Sequence, residues 1–145
     1  MNESRRLHAS MNITHKKFVL CVDDDLDDRL IISEAIKDAD PSLLVIEAKN
    51  GLEAHKFLKE AKVTGCFPCL VILDINMPLM DGKETLKEIK KDEILKSLPV
   101  VFFSTSSNPR DQSFSTEYGV EFVTKPTNYG SIVETIKELL SRCND

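Results

Sequence analysis

Five short apolar runs alternate along the chain with longer segments of helical spacing. Most runs are rich in Val, Ile, Leu or Phe and have no alternating polar face, which is typical of strands buried on both sides of a parallel sheet. The last run is interrupted by a glutamate and is predicted to be an edge strand. The five predicted strands are Phe18–Val22, Leu43–Ala48, Leu70–Leu73, Val100–Phe103 and Val120–Val123.

The segments between and after these runs carry apolar residues three or four positions apart, as amphipathic helices do. The fourth of them, Asn108–Tyr118, is the weakest, since Phe114 and Tyr118 are its only large apolar residues; Ser107 or Asn108 is its predicted cap. The other predicted core stripes are Leu30, Ile31 and Ala35; Leu52, Phe57, Leu58 and Ala61; Leu86 and Ile89; and Ile132, Val133, Ile136, Leu139 and Leu140.

This alternation predicts an α/β fold of the (βα)₅ type, a doubly wound five-stranded parallel sheet with right-handed crossovers and helices on both faces. Sheets of this kind bind ligands at the carboxyl ends of their strands. Residues 16–145 are expected to form one domain with no output domain. Residues 1–15 are expected to be a disordered N-terminal extension.

Composition narrows the function classes. The chain has 145 residues, 41% of them hydrophobic, and a formal net charge of −5, which argues against nucleic acid as a direct partner. No apolar run approaches the ~20 residues that cross a bilayer, and the first residues lack the apolar core of a signal peptide. A cytoplasmic location without membrane contact is therefore expected.

The four cysteines are expected to be reduced in that compartment. Cys66 and Cys69 form a C-x-x-C pair, but the pair precedes a strand, whereas a redox motif would open a helix. Zinc would need two further ligands of suitable spacing. Cys66 and Cys69 are therefore interpreted as incidental loop cysteines, alongside Cys21 and Cys143.

Polar residues follow four of the five predicted strands and are expected to meet at one edge of the sheet. Two other acids of the run after the first strand, Asp25 and Asp27, are better interpreted as helix caps. The candidate site residues are Asp23 and Asp24 after the first strand, Asp74 after the third, Ser104 after the fourth and Lys125 after the fifth.

These residue types suit one chemistry. Two carboxylates ~4 Å apart repel by about 4 kcal/mol at an effective dielectric near 20, so the acids need a cation between them, and all-oxygen ligands favour Mg²⁺. Asp74 would be the nucleophile that forms an aspartyl phosphate. Lys125 would supply positive charge to a phosphoryl oxygen, and the Ser104 hydroxyl would donate a hydrogen bond to another.

In these motifs the sequence resembles the receiver domains of two-component response regulators, over about Lys16 to Cys143. It is most similar to single-domain regulators of the chemotaxis and phytochrome-associated kinds. The resemblance implies a flavodoxin-like receiver fold with strand order 2-1-3-4-5. The matching motifs are Val22-Asp23-Asp24, Leu73-Asp74-Ile75-Asn76-Met77-Pro78 with Asp81-Gly82, Ser104, and Lys125-Pro126.

The resemblance also implies a donor and a metal set. Asp74 would accept the phosphoryl group from a phosphohistidine on a sensor histidine kinase or a histidine phosphotransfer protein. Asp24, Asp74 and the backbone carbonyl of Asn76 would bind Mg²⁺ directly, and Asp23 would act mainly through water.

Further roles implied by the resemblance concern the active state. Ser104 and Lys125 would contact the phosphoryl group, and the bond to Pro126 is usually cis in the family. Phe122 stands at the aromatic switch position and would turn inward when Ser104 moves. The face built from the fourth helix, fifth strand and fifth helix would then change, and could bind an unknown target protein or form a homodimer.

Two questions stay open at this point. The chain is expected to be a signalling protein that catalyses only its own phosphorylation and dephosphorylation, but it could be an end-point regulator or a phosphorelay intermediate. A hydrolase of the haloacid-dehalogenase type would want an aspartate at Asn76. A flavodoxin-like cofactor binder would find its phosphate repelled by Asp23–Asp28.

Overall fold

The computed structural model describes residues 16–143, which form one five-stranded parallel sheet with strand order β2-β1-β3-β4-β5. The order places β1 and β3 at the centre and β5 at an edge. This confirms the predicted fold class and strand order. The strands are β1 Phe18–Val22, β2 Leu44–Ala48, β3 Leu70–Leu73, β4 Val100–Ser104 and β5 Glu121–Thr124.

Within residues 16–143, five α-helices connect the strands or follow them, and each begins after an Asp or Asn side chain that accepts a hydrogen bond from the first turn. The fourth begins after Asn108, one of its two predicted caps. Single 3₁₀ turns follow α3 at Leu95–Ser97 and α5 at Ser141–Cys143. The helices are α1 Leu26–Ala39, α2 Gly51–Thr64, α3 Gly82–Lys91, α4 Pro109–Glu117 and α5 Tyr129–Leu140.

Alternate strand residues enter two apolar cores, one on each face of the sheet. On one face, Leu73 and Phe102 belong to a cluster that includes side chains of α2 and α3. On the other, Ile72 and Phe103 belong to a cluster that includes side chains of α1 and α5. The double burial explains why the central strands are continuously apolar.

The predicted core stripe of α1 is wrong in its phase. Leu30 and Ile31 are 49% and 37% exposed, while Ile32, Ala35 and Ile36 are buried. Three consecutive apolar residues fit either of two buried faces of the helix, and the packing of α1 against the sheet and against α5 buries Ile32 and not Leu30. Leu52, a predicted core residue of α2, is likewise exposed at 42%.

A disulfide joins Cys69 to Cys143, with their Cα atoms 4.8 Å apart, so the expectation that these two cysteines are reduced is wrong. The 3₁₀ turn after α5 returns the chain to the amino end of β3. There, the Lys17 ammonium donates a hydrogen bond to the Cys143 carbonyl at 2.9 Å. Cys66, the other half of the C-x-x-C pair, takes no part in this bond, and Cys21 is a buried thiol.

None of the described helices combines the length and apolar character needed to cross a membrane. The N-terminal extension expected at residues 1–15 lies outside the described residues.

Candidate functional site

The site lies at the carboxyl edge of the sheet, where β1 and β3 end side by side. The backbone N–H of Asp74 donates to the Val22 carbonyl at 2.9 Å, and that of Asp23 donates to the Ala48 carbonyl at 3.1 Å. The sheet ladder thus continues one residue beyond the strands and fixes both aspartates. Asp23 and Asp74 are buried, while Asp24 is exposed.

Both carboxylate oxygens of Asp23 accept hydrogen bonds within the chain. Its Oδ1 accepts from the backbone N–H of Asp25 at 2.9 Å, and its Oδ2 from the Lys125 ammonium at 2.6 Å. Asp23 therefore has less capacity for direct coordination than the exposed Asp24.

Asp74 is held by its own backbone and lies within ion-pair distance of the lysine. Its Oδ1 accepts from the Ile75 N–H at 2.8 Å, and its Oδ2 lies 3.8 Å from the Lys125 Nζ. Burial raises the pKa of Asp74 above its usual value, and the charge of Asp23 adds to this, against the opposing effects of Lys125 and the Ser104 hydroxyl. Burial raises the pKa of Asp23 as well. The cluster is thus short of positive charge.

Lys125 reaches the acids from the end of β5, and its side chain is only 10% exposed. Its Nζ lies 2.6 Å from Asp23 Oδ2, 3.0 Å from Asp28 Oδ2 and 3.8 Å from Asp74 Oδ2. Burial alone would lower the pKa of Lys125, but these carboxylates together raise it above its usual value. The ammonium stays charged at neutral pH.

Asp28 is the site neighbour that sequence reasoning missed. It lies in the first turn of α1 and not at a strand end, so the strand-end rule did not select it. The one available signal was the density of acids between Asp23 and Asp28. Asp25 is the N-cap, as expected, whereas Asp27 lies in the first turn and does not cap.

The donor chemistry of the acidic cluster fits a hard divalent cation. Asp23, Asp24 and Asp74 can each offer one carboxylate oxygen such that all three oxygens lie within 4.8 Å of one another. Oxygen-only ligand sets are preferred by Mg²⁺, Mn²⁺ and Ca²⁺. Asn76, two residues beyond Asp74, is exposed beside the cluster.

Gly82 allows the loop after β3 to fold back onto the site. A Cβ atom at this position would lie 2.1 Å from the Asp74 carbonyl oxygen and 2.8 Å from the Ile75 Cα, so no other residue fits without a backbone shift. The Gly82 N–H donates to the Ile75 carbonyl at 2.8 Å. The start of α3 is therefore built directly against the backbone of Asp74.

Ser104 connects the site with α4. It is buried at the end of β4, and its Oγ accepts from the Ser106 N–H at 3.3 Å. The Ser106 hydroxyl in turn donates to Asp111 Oδ2, and Asp111 Oδ1 pairs with the Lys83 Nζ at 2.6 Å. A polar chain thus runs from Ser104 through α4 to the first turn of α3.

Phe122 is half-buried, and its ring centroid lies 6.5 Å from that of Phe102. The cis bond that the resemblance implied before Pro126 is absent, because every peptide bond of residues 16–143 is trans. For X–Pro bonds the trans isomer is the lower in energy by about 0.5 to 1 kcal/mol. With the Lys125–Pro126 bond trans, the Lys125 ammonium contacts Asp23.

Sequence comparison agrees with the residue types and the position of this site. Residues 19–137 match the family described as the response regulator receiver domain. The chain belongs to this receiver-domain family. Two-component response regulators are signalling proteins, and the resemblance seen in the sequence motifs is confirmed.

Relatives and solved structures agree with this assignment. Response regulator Rcp1 of Synechocystis sp. is 33% identical over 86% of this chain and 87% of its own length. Phosphorylated RcpA, a cyanobacterial phytochrome response regulator, superposes with a TM-score of 0.79 at 32% identity, covering 87% of this chain and 92% of that one. A Mn²⁺-bound form of Rcp1 superposes with a TM-score of 0.75 at 33% identity, covering 86% of this chain and 92% of that one.

Other relatives of this receiver domain are longer proteins. The sensor histidine kinase CheAY of Helicobacter pylori is 33% identical over 94% of this chain, but the match spans 16% of its length. Similar partial matches occur to a probable cyclic di-GMP phosphodiesterase and to protein-glutamate methylesterases, at 27% and 34% of their lengths. The shared part is the receiver domain, so the catalytic names of those proteins do not transfer to this chain.

Proposed function

We propose that this receiver domain accepts a phosphoryl group on Asp74 from the phosphohistidine of a sensor histidine kinase or a histidine phosphotransfer protein. The observation that carries the proposal is the position of Asp74. It is a buried carboxylate at the carboxyl edge of the sheet, with two further acids on one side and the Lys125 ammonium 3.8 Å from its Oδ2.

Mg²⁺ is the proposed cofactor. Asp24, Asp74 and the backbone carbonyl of Asn76 would hold it, with Asp23 acting mainly through water because both of its oxygens already accept hydrogen bonds. When bound, the ion would offset the charge of the carboxylates and of the phosphoryl group. The Mn²⁺-bound form of Rcp1 supports a divalent cation in a relative.

The chain's own residues would carry the transfer. The Asp74 carboxylate oxygen forms the bond to phosphorus as the phosphorus–nitrogen bond of the donor breaks and the imidazole leaves. Lys125 offers an ammonium N–H to a phosphoryl oxygen, and the Ser104 hydroxyl offers another donor. These groups serve only the reaction on Asp74, so the chain would turn over no external substrate.

Phosphorylation would then change the surface through Ser104. The phosphoryl group adds about −1.5 to −2 charge and would draw the Ser104 hydroxyl away from the Ser106 N–H, at the start of the polar chain into α4. Phe122, which packs beside Phe102, would turn inward in the same transition. The face formed by α4, β5 and α5 is the proposed output surface.

We place this function in the cytoplasm, where the partners would be the phosphodonor, a target protein and a second copy bound through the α4-β5-α5 face. Nucleic acid and membranes are not proposed partners. Return of labelled phosphoryl from Asp74 to a phosphotransfer histidine would identify a relay intermediate, and its absence an end-point regulator.

The test is phosphorylation by a small donor. The wild type incubated with Mg²⁺ and acetyl phosphate should gain the mass of one phosphoryl group, whereas Asp74→Asn should gain none. Asp27→Asn removes the same charge from an exposed position on α1 and should be phosphorylated like the wild type. A wild type that gains no phosphoryl mass and binds no beryllofluoride contradicts the proposal.

A further inference from the structure

Lys125 has a second carboxylate partner that comes from outside the strand ends. Asp28 Oδ2 lies 3.0 Å from the Lys125 Nζ, and the two residues are 97 positions apart in sequence. The Asp28 side chain is 41% exposed, while that of Lys125 is 10% exposed. The contact therefore closes the site on the side of α1.

The local structure holds Asp28 in place for this contact. The Asp25 carboxylate caps α1 by accepting a hydrogen bond from the Asp28 N–H at 3.0 Å. The Asp25 N–H in turn donates a hydrogen bond to Asp23 Oδ1 at 2.9 Å. Arg29, the next residue, donates to the Asp23 carbonyl at 2.8 Å. The start of α1 is thus bound to Asp23 at two points, through the Asp25 N–H and through the Arg29 side chain.

The distances divide the three ammonium protons of Lys125 among its partners. Asp23 and Asp28 are at hydrogen-bond distance, 2.6 and 3.0 Å, and Asp74 at 3.8 Å is not. An ammonium has three donors. Two are used to hold the side chain, and the third is left for the side of the site where Asp74 lies.

Asp28 differs from Asp23 in one respect that matters for the reaction. Asp23 belongs to the acidic cluster suited to a cation, and Asp28 does not. A residue needed by both the cation and the lysine holds the lysine less firmly than one that serves the lysine alone.

We propose that Asp28 is a positioning residue that, together with Asp23, orients Lys125 so that its remaining N–H meets the phosphoryl group on Asp74. The inference rests on the proposed function, since it assigns a task within that reaction. Asp28 touches neither the phosphoryl group nor the reacting oxygen; it acts through Lys125.

Asp27 provides a matched control. It lies beside Asp28 in the first turn of α1, and is exposed. Asp27→Asn and Asp28→Asn remove the same charge from the same turn, so the effect on the helix dipole is matched in their comparison. The loss of the nearer negative charge at Asp28 would by itself favour an anionic ligand, which is opposite to the predicted weakening. The difference that remains reports the contact with Lys125.

Beryllofluoride, with Mg²⁺, is the probe, and isothermal titration gives its dissociation constant for wild type, Asp27→Asn, Asp28→Asn and Asp28→Glu. The expected constant for Asp28→Asn is about three- to tenfold above that of Asp27→Asn, the effect of one hydrogen-bonded ion pair whose carboxylate is partly exposed to solvent. Asp28→Glu should return most of the affinity. An Asp28→Asn constant equal to or below that of Asp27→Asn overturns the inference.

A second measurement separates this inference from the proposed function. The ammonium groups of ¹⁵N-lysine-labelled protein are observed by NMR without metal or beryllofluoride, and Lys125 is assigned by the loss of its signal in Lys125→Arg. Asp28→Asn should shift or broaden that signal and Asp27→Asn should not. If the wild type binds no beryllofluoride, the proposed function fails. If the position and width of the Lys125 signal are the same in Asp28→Asn as in the wild type, the inference itself fails.

Discussion

Leu79 shows what a single residue contributes to the loop after Asp74. Of the described residues 16–143 it is the one non-glycine with a positive φ, 68°, and its side chain is 76% exposed. A left-handed conformation costs a residue with a Cβ about 1 to 2 kcal/mol, and Asn tolerates it better than most. The exposed side chain recovers little of that cost by packing.

The left-handed backbone at position 79 should therefore favour Asn over other residues that carry a Cβ. We expect Leu79→Asn to unfold at a higher urea concentration than Leu79→Ala. The free energy of unfolding should be larger for the Asn variant by about 0.5 to 1 kcal/mol. Both variants lose the exposed apolar side chain, so their difference isolates the backbone. Equal stabilities of the Asn and Ala variants would show that the left-handed conformation costs nothing here.

Gly82 should be intolerant of even one added methyl group. Its Cβ would clash with the Asp74 carbonyl at 2.1 Å, so Gly82→Ala should lower the free energy of unfolding by about 1 to 3 kcal/mol and displace Asp74. Gly130→Ala is the control, because a Cβ there meets its nearest atom at 3.6 Å on an exposed helix turn. That change should raise stability by about 0.5 to 1 kcal/mol. Urea unfolding measures both, and similar effects of the two would contradict the close approach at Gly82.

At the scale of the element, α4 is held by polar contacts more than by apolar ones. Its two buried residues are Asp111 and Ser115, and Phe114 is only partly buried against Phe102. Asp111 pairs with Lys83 of α3, and the Ser115 hydroxyl donates to the Asp111 carbonyl at 2.9 Å. The weakness expected of this helix from its sequence therefore has a structural counterpart.

The pairing of Asp111 gives α4 a pH dependence. Burial alone would raise the pKa of Asp111, but Lys83 and the Ser106 hydroxyl together hold it below its usual value. A carboxyl group with a lowered pKa in the folded state stabilises that state above its unfolded pKa and loses this contribution as pH falls through the folded pKa. The stabilisation is therefore present at neutral pH and lost in acid, below about pH 4.

Asp111→Asn should lower the free energy of unfolding by about 1 to 3 kcal/mol at pH 7, with the loss shrinking as the pH falls below 4. Amide exchange within α4 should accelerate in the same variant. Glu117→Gln, an exposed acid at the end of the same helix, should change neither. Destabilisation by Asp111→Asn that is the same at pH 3 and pH 7 would exclude the ion pair as its cause.

Elements also show how far the sequence alone reaches. Leu70–Leu73 is recognisable as a buried strand from the sequence because all four residues are apolar, and in the structure all four are buried. The phase of α1 is not recognisable, since Leu30, Ile31 and Ile32 are equally apolar and only the packing against α5 makes one of them core. The strand ends gave Asp23, Asp74 and Lys125, but Asp28 depends on how the first turn of α1 lies over the sheet.

At the scale of the whole molecule, the Cys69–Cys143 disulfide joins the residue before the central strand β3 to the turn after α5. The two cysteines are 74 residues apart in sequence, and no local pattern relates them. Their pairing depends on α5 running antiparallel to the sheet, which returns the last turn to the amino end of β3. This is why a sequence reading that judged Cys69 by its neighbours was wrong.

The disulfide should contribute to stability by restricting the unfolded chain. We expect Cys143→Ser to lower the free energy of unfolding by about 2 to 4 kcal/mol under oxidising conditions, and dithiothreitol to lower the wild type by a similar amount. Cys66→Ser should keep its sensitivity to dithiothreitol, since Cys66 is outside the bond. If dithiothreitol leaves the melting temperature of the wild type unchanged, the bond does not stabilise the fold.

The sheet topology has a consequence for which parts of the site open first. The acids follow β1 and β3, strands that are paired on both sides and fully buried. Lys125 follows β5, which within residues 16–143 pairs only with β4 and has no buried residue. Deuterium should therefore replace the amide protons of β5 through local fraying, and those of β1 and β3 only when the entire domain unfolds. Lys125 is therefore attached to the strand that opens most readily, and Asp23 and Asp74 are attached to the strands that open least.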